Sequence, residues 1–245
     1  MFKKFIRFNK SICKKLETKF PNFFGDPDNY NDDLKKLIDN YINDKLPKNI
    51  LEVGGANRPI LKKSKHYVLF GLDIDDNSEN YKIYDFFLLQ PIEKKLNQKF
   101  DMIISKTLLE HLPNNEKSLL TIYNGLNHDG VTMHYVPNKY HFYSVILRII
   151  GPKLQKILIH HLRPEAETVT GFPAFFDNCS PNQMKKLLQN IGFKDIKIKT
   201  YFRATDYFAF FVPIFIIVAT IENFFKYFGL NTFSSGMIFI AKKKD

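Results

Sequence analysis

Residues Asn49 to Ile60, reading NILEVGGANRPI, constrain the fold more than any other stretch of the chain. An apolar strand carries Glu52 near its end, two glycines follow, and Pro59 is placed to open a helix. Twenty-one residues past Glu52, a second apolar strand, YVLFGLDID, carries Asp73. A strand, a small-residue turn, a helix and a second strand ending in a carboxylate make the first half of a nucleotide-binding α/β fold. Glycine in the turn lets the backbone close on a ligand that a Cβ would hold off. The helix is expected to aim its free N–H groups over the turn, and the carboxylate can accept two hydrogen bonds from ribose hydroxyls.

The rest of the chain continues the alternation. Strands are expected at 49–54, 67–73, 81–84, 100–105, 130–136, 193–201 and 236–242. Helices are expected at 31–45, 59–65, 115–127 and 181–190, the last signed by Ser180 as N-cap, Pro181 at N1, Gln183 at N3 and Gly192 as the stop. This order predicts an α/β fold, a Rossmann-like seven-stranded, mainly parallel sheet with helices on both faces and an antiparallel last strand. Length and apolar content suit one such domain over 28–245. Two additions interrupt it: an insertion at 140–179 with a helical stretch at 142–150, and an apolar helical segment at 207–228. The uncharged run 207–221 has 15 residues and includes Pro213. A membrane span needs about 20 apolar residues, so this segment reads as a buried or interfacial helix or a hydrophobic lid.

Residues 1–27 stand apart as a basic amphipathic helix and a linker. The chain has a formal charge of +11, and residues 1–20 supply +6 of it through seven basic residues against Glu17 alone. On a helix, Phe2, Phe5, Ile6, Ile12, Cys13, Leu16 and Phe20 share a face about 120° wide. That pattern fits a helix lying in a membrane interface, and equally a helix packed on the domain with its lysines in water. No nucleic-acid motif accompanies it, so no nucleic-acid partner is expected. Two cysteines, Cys13 and Cys179, lie outside any metal-ligand spacing and fit a reducing compartment. With no secretory signal in view, the expected place is the cytoplasm, peripheral to the inner face of the membrane through 1–20 and 207–228.

Four segments together resemble the class I S-adenosylmethionine-dependent methyltransferases, in particular the group with an acidic residue, His and Leu after the fourth strand. ILEVGGA is similar to the first motif, with Glu52, Gly54, Gly55 and Ala56. GLDID is similar to the second, with Asp73 for the ribose and Ile74 beside it. YDFF is similar to the adenine-contacting motif, with Asp85 and Phe86 after the third strand. FDMIISKTLLEHLPN supplies Ser105 and the Glu110-His111-Leu112 signature. The resemblance covers about Ile50 to Phe193 and implies S-adenosylmethionine as cofactor, bound by these residues. GGANRP lacks the G-x-G-x-x-G spacing of a pyrophosphate site. Glu52 before the turn suits a ligand carrying an ammonium and a sulfonium. Arg58 stands where the fullest form of the turn has a third small residue, and Asn57 and Arg58 are placed to clamp a carboxylate or to cap a helix.

Methyl transfer from a sulfonium is an in-line displacement that needs mainly alignment, and an oxygen acceptor also needs a base. His111 and His141 are the candidate bases; His134, Tyr135, His160 and His161 are also near enough in the expected topology to be considered. No metal is expected. The two apolar additions are expected to wall the acceptor side. They point to a small-molecule or lipid-linked acceptor, a sugar or lipid-linked saccharide, with a quinone, a lipid or an inactive binding protein as alternatives.

Overall fold

The computed structural model describes residues 2–25, 29–56, 58–76, 79–162, 173–203 and 205–244. Its helices are α1 (Phe2–Lys19), α2 (Pro21–Phe24), α3 (Tyr30–Lys45), α4 (Asn80–Ile83), α5 (Asn115–Gly125), α6 (Phe142–Leu162), α7 (Pro181–Ile191) and α8 (Val212–Tyr227). Its strands are β1 (Asn49–Val53), β2 (Val68–Asp73), β3 (Phe86–Leu89), β4 (Phe100–Lys106), β5 (Leu126–Pro137), β6 (Lys194–Tyr201) and β7 (Gly236–Lys242).

The strands form one sheet in the order β3-β2-β1-β4-β5-β7-β6, and β1 to β5 run parallel. The chain leaves β1 on one side for β2 and β3, then returns to its other side for β4 and β5. The reversal puts a topological switch point between the carboxyl ends of β1 and β4, where open α/β sheets bind ligands. β7 is antiparallel: Asn138 N–H donates to Ser235 O and Lys243 N–H to Gly130 O, pairings that run in opposite chain directions. Both faces of the parallel strands are covered, so they read as near-continuous apolar runs. Ile50, Leu51, Leu69, Ile103, Ile104 and Val131 have no accessible surface.

Three elements differ from the sequence expectation. No helix follows the glycine turn; residues 59–65 are irregular. Both oxygens of Glu52 are occupied by backbone donors of this stretch, Ile60 N–H at 2.6 Å and Leu61 N–H at 3.3 Å. Pro59 also disfavours the helical region for Arg58. The third strand lies at 86–89, not 81–84, where α4 forms a single turn. The aromatic and leucine run FFLL outcompetes NYKI for the sheet edge. The stretch at 142–150 extends to Leu162, across a break at Gly151 (φ 68°, ψ 169°) that only glycine adopts readily. Gln155 Nε2 donates to Leu147 O there, supplying a donor beside the break. α7 starts and stops as its caps predict, with Gly192 left-handed at φ 109°; Ser180 Oγ donates to the Gln183 side chain, not to the backbone.

The chain divides into two compact units. One comprises Tyr30–Pro137, Phe175–Lys199 and Met237–Asp245, and holds the parallel strands with α3, α5 and α7. In it Tyr30 on α3 stacks on Tyr135 of β5, with ring centroids 3.7 Å apart. The other comprises Met1–Asn29, Asn138–Ala174 and Thr200–Gly236, and holds α1, α2, α6 and α8. In this second unit the α1 face carrying Ile6, Asn9 and Cys13 is buried. Asn9 Oδ1 accepts Val212 N–H at the start of α8, and Phe5 lies against Phe211. Pro213 sits in the first turn of α8, where its missing N–H costs nothing. Arg203 donates to Gly25 O, Phe23 O and Asn223 Oδ1, tying α2 to α8. Among the described residues, no helix is long and apolar enough to cross a membrane.

Candidate functional site

At the switch point, the turn after β1 and the end of β2 meet. Asp73 Oδ2 accepts Ala56 N–H at 3.3 Å, and its Oδ1 accepts the N–H groups of Ile74 and Asp75. Three backbone donors thus hold the carboxylate beside the glycine turn and leave further lone-pair directions for a ligand. Gly54 is left-handed at φ 72°, and a Cβ there would meet Leu108 Cδ1 at 2.8 Å. Leu108 comes from the loop after β4, so Gly54 interlocks the two strand ends at the switch point. A Cβ on Gly55 would meet Glu52 Oε1 at 2.4 Å and the Tyr84 hydroxyl at 2.5 Å. Packing therefore requires glycine at both positions, since Leu108, Glu52 and Tyr84 occupy the places of the missing side chains.

The electrostatics beneath the turn are unusual. Glu52 is 1% exposed, and burial lifts its carboxyl pKa to about 7, against the lowering influence of Ile60 N–H, Leu61 N–H and Lys106. Lys106, at the end of β4, is itself lowered by burial, with Glu52 opposing that shift and Arg58 adding to it. Burial, then the charges of Glu52 and Asp73, raise the Tyr84 phenol. Its hydroxyl is buried and has no hydrogen-bond partner among the described residues. Sequence reasoning missed Tyr84. Its ring fills the space that a side chain on Gly71 would take, 2.4 Å from that glycine's ideal Cβ, and a glycine inside an apolar strand is the available signal.

The other expected residues divide. Ile74 is 72% exposed beside Asp73 at the rim. Asp85 and Phe86 are not brought to it. Asp85 precedes β3 and accepts Leu69 N–H at 2.9 Å, while Asp73 pairs with Leu89, so Asp85 lies about 13 Å down the sheet. The shifted strand puts Leu89 and Gln90 beside Asp73 instead; Gln90 N–H donates to Asp73 O. Ser105 is buried, its Oγ 2.6 Å from His134 Nδ1. His134 also contacts the Thr132 hydroxyl through Nε2, and burial drops its pKa to about 3, so it is a neutral structural histidine. Glu110 and His111 form a 3₁₀ turn after β4. Burial raises Glu110 to about 8, and its Oε2 has no hydrogen-bond partner among the described residues. His111 Nε2 is 3.7 Å from Glu110 Oε1, and its side chain is one-third exposed. Backbone N–H groups of Phe175 and Phe176 donate to Glu110 O, and Asn115 Nδ2 donates to Leu109 O and Asp177 O, so a strap at 175–179 fixes this turn. Thr107, left-handed at φ 53° despite its branched side chain, marks the strained exit from β4.

His141 belongs to the other compact unit. It is 1% exposed; its Nδ1 accepts Tyr143 N–H and its Nε2 faces Glu222 Oε1 at 3.3 Å. That is the setting of a structural histidine. His160 lies near the end of α6. Asn57 and the His161 side chain lie outside the described residues. Among the described residues, no group of three His, Cys, Asp or Glu side chains is placed to hold a metal.

S-adenosylmethionine, the cofactor that the resemblance implies, fits this arrangement in three respects. The turn after β1 meets the end of β2 at the switch point; Asp73 keeps lone-pair directions that a ribose can use; and the carboxyl of Glu52 lies beneath the turn. Without a helix N-terminus over the turn, the site lacks the anion-binding element of a pyrophosphate loop.

A family model described as a methyltransferase domain matches residues 28–198. None of the curated proteins matches the sequence. Among solved structures, the chain is similar to the CurJ carbon methyltransferase, at 14% identity and a TM-score of 0.53, over 88% of this chain and 54% of that one. It is similar to a SAM-dependent methyltransferase from Archaeoglobus fulgidus, at 17% identity and a TM-score of 0.53, over 93% and 98%. It is also similar to phosphoethanolamine N-methyltransferase 2 of Haemonchus contortus in complex with S-adenosyl-L-methionine, at 13% identity and a TM-score of 0.53, over 100% and 60%. The chain thus spans 54% to 98% of these three, and at such identities the likeness is one of fold.

Proposed function

The chain belongs to the family described as the methyltransferase domain, and from that membership we propose that it methylates an oxygen of a sugar or lipid-linked saccharide handled at a membrane surface. The cofactor of the family, S-adenosylmethionine, supplies an electrophilic methyl group on a sulfonium when bound.

The observation that carries the cofactor half is the Asp73 carboxylate held against Ala56 N–H at the switch point. Asp73 binds the ribose. Gly54, Gly55 and Ala56 let the backbone approach. Ile74 and Leu89, both exposed beside Asp73, cover the adenine in place of Phe86. Glu52, buried beneath the turn and bonded to Ile60 and Leu61 N–H, acts on the ammonium of the methionine moiety through its charge and not by contact. Glu110, largely protonated at pH 7, positions the turn and keeps a second full charge away from His111. His111, partly exposed in the turn after β4, accepts the proton of the acceptor hydroxyl. His141 is not carried forward as a base, because it is buried against Glu222.

The acceptor half rests on the character of the second unit. It contains fourteen basic and seven acidic residues, +7 of the chain's +11. Exposed Phe8, Ile149, Ile217 and Phe224 add apolar surface to that charge. An acceptor with a lipid anchor, presented at the inner face of a membrane, suits both.

Transfer of radiolabelled methyl from the cofactor into fractionated cell extract tests the proposal. Label is expected in an organic-soluble fraction that releases glycan on mild acid. Label confined to protein, to quinone or to simple lipid overturns the saccharide assignment. His111→Ala is expected to lower kcat at least about tenfold, with cofactor affinity retained.

A further inference from the structure

We infer that α8 is the membrane-penetrating element of the chain, and that its partner is the surface of an anionic phospholipid bilayer. The inference extends the membrane reading above, and rests on the second unit alone.

A free amphipathic N-terminal helix would turn its apolar face to lipid. In the structure the centre of that face, Ile6, Asn9 and Cys13, is buried and Asn9 caps α8, while Phe5 and Phe20 at its two ends stay exposed. Among the described residues, a continuous exposed apolar stripe runs along α8. Ile217, Ile221, Phe224 and Phe228 recur at i, i+4, i+7 and i+11, within about 60° of one another on a helix, and all are exposed. The stripe is about 16 Å long. The opposite side of α8, with Phe215, Val218, Ala219 and Glu222, is buried. Lys226 is the only exposed charged residue on the helix.

Two further features suit a lipid environment. Thr220 is exposed, yet its hydroxyl donates to Ile216 O one turn back, so it needs no water. The carboxyl end of the helix gathers Phe224, Tyr227 and Phe228, with ring centroids 4.6 Å and 5.1 Å apart along the series. Of these, Tyr227 has the amphipathic ring that favours the headgroup level of a bilayer, and the two phenylalanines suit the apolar side of that level.

Charge selects the bilayer over an uncharged apolar partner. α1, packed on the start of α8, carries seven basic residues and one acidic residue. Lys14, Lys15 and Lys19 lie together with Ser11 on one open side of α1, where three ammonium groups suit phosphate headgroups; the Thr18 hydroxyl beside them donates to Lys14 O. Each basic side chain near an anionic surface adds to the attraction, and salt weakens it.

The chain contains no tryptophan, so a single introduced one reports its own surroundings. Phe224→Trp in the full chain should shift its emission to the blue with vesicles of phosphatidylglycerol and phosphatidylcholine, and brominated acyl chains should quench it. Leu120→Trp, on exposed α5 of the other unit, should do neither. Ile217→Ser with Phe224→Ser should lower vesicle partitioning about tenfold or more, with S-adenosylmethionine affinity unchanged as the check on folding. Three results would overturn the inference. The first is no shift on vesicles at Phe224→Trp. The second is an equal shift at both reporters. The third is a shift that follows protein concentration without lipid, which would make a second copy of the chain the cover of the stripe. Vesicle binding without any methyl transfer would leave this inference standing and remove the enzymatic reading; methyl transfer without vesicle binding would do the reverse.

Discussion

Single residues at the switch point decide whether a ligand can enter. Asp73 is held by Ala56, Ile74 and Asp75, so its removal opens the ribose side without touching the core. Asp73→Ala is expected to weaken S-adenosylmethionine binding more than about tenfold, measured by calorimetry, with the melting temperature nearly unchanged. Gly55→Ala is expected to act differently. Its Cβ would fall 2.4 Å from Glu52 Oε1 and 2.5 Å from the Tyr84 hydroxyl, both fixed. Overpacking of this kind costs about 1–3 kcal/mol, so a chemical-denaturation midpoint should fall along with cofactor affinity. The glycine turn and the strand-end carboxylate of Asp73 were legible in the sequence as a local pattern, and the structure places them side by side. Tyr84 was not, because its role comes from a contact with Gly71 and Gly55 that no local pattern encodes. Glu52 stood out in the sequence as an acid before the turn, but its bonds to Ile60 and Leu61 arise from how the chain folds back.

At the scale of elements, strands and caps with strong local signals stand where the sequence put them, and elements decided by tertiary competition do not. α7 was marked at both ends by Pro181 and Gly192, and β7 matches its expected span. The helix expected at 59–65 lost its first-turn donors to the Glu52 carboxylate, which no periodicity could report. β3 moved because two neighbouring segments were both plausible strands and only one pairs with β2. That shift puts Leu89 and Gln90, not Asp85 and Phe86, beside Asp73. The strap at 175–179 was also invisible, since it depends on Asn115 bonding to Leu109 O and Asp177 O across about sixty residues of sequence. Asn115→Ala leaves those carbonyls without this donor in a buried place. It is expected to cost about 1–3 kcal/mol and to lower kcat by loosening the turn that carries His111, measured by denaturation and by initial rates.

For the whole molecule, the buried carboxyls give a pH signature. Burial raises Glu52 to about 7 and Glu110 to about 8, from an ordinary value of 4.5. Between those values the folded chain holds more protons than the unfolded one, so stability falls as pH rises. The contribution of these groups is full below about 4.5 and is lost as pH passes through their folded values. Thermal melts should therefore show a decline from about pH 5 to 8, and Glu110→Gln should flatten its upper part; equal slopes in the two proteins would remove Glu110 as a source. The same linkage reaches function: a cationic ligand over Glu52 favours its ionised form, so binding near pH 7 should release a proton. The uneven distribution of charge was visible in the sequence, but the division into two units and the packing of α1 on α8 were not, because both depend on contacts between distant segments. The most direct measurement is a calorimetric titration of the full chain with S-adenosylmethionine, repeated in buffers of different ionisation enthalpy and with Asp73→Ala. The expected result is one binding event with proton release near pH 7, weakened more than about tenfold by the substitution. No binding of the cofactor or its demethylated product at about millimolar concentration, where the association energy would be only about 4 kcal/mol, would contradict the assignment of this site.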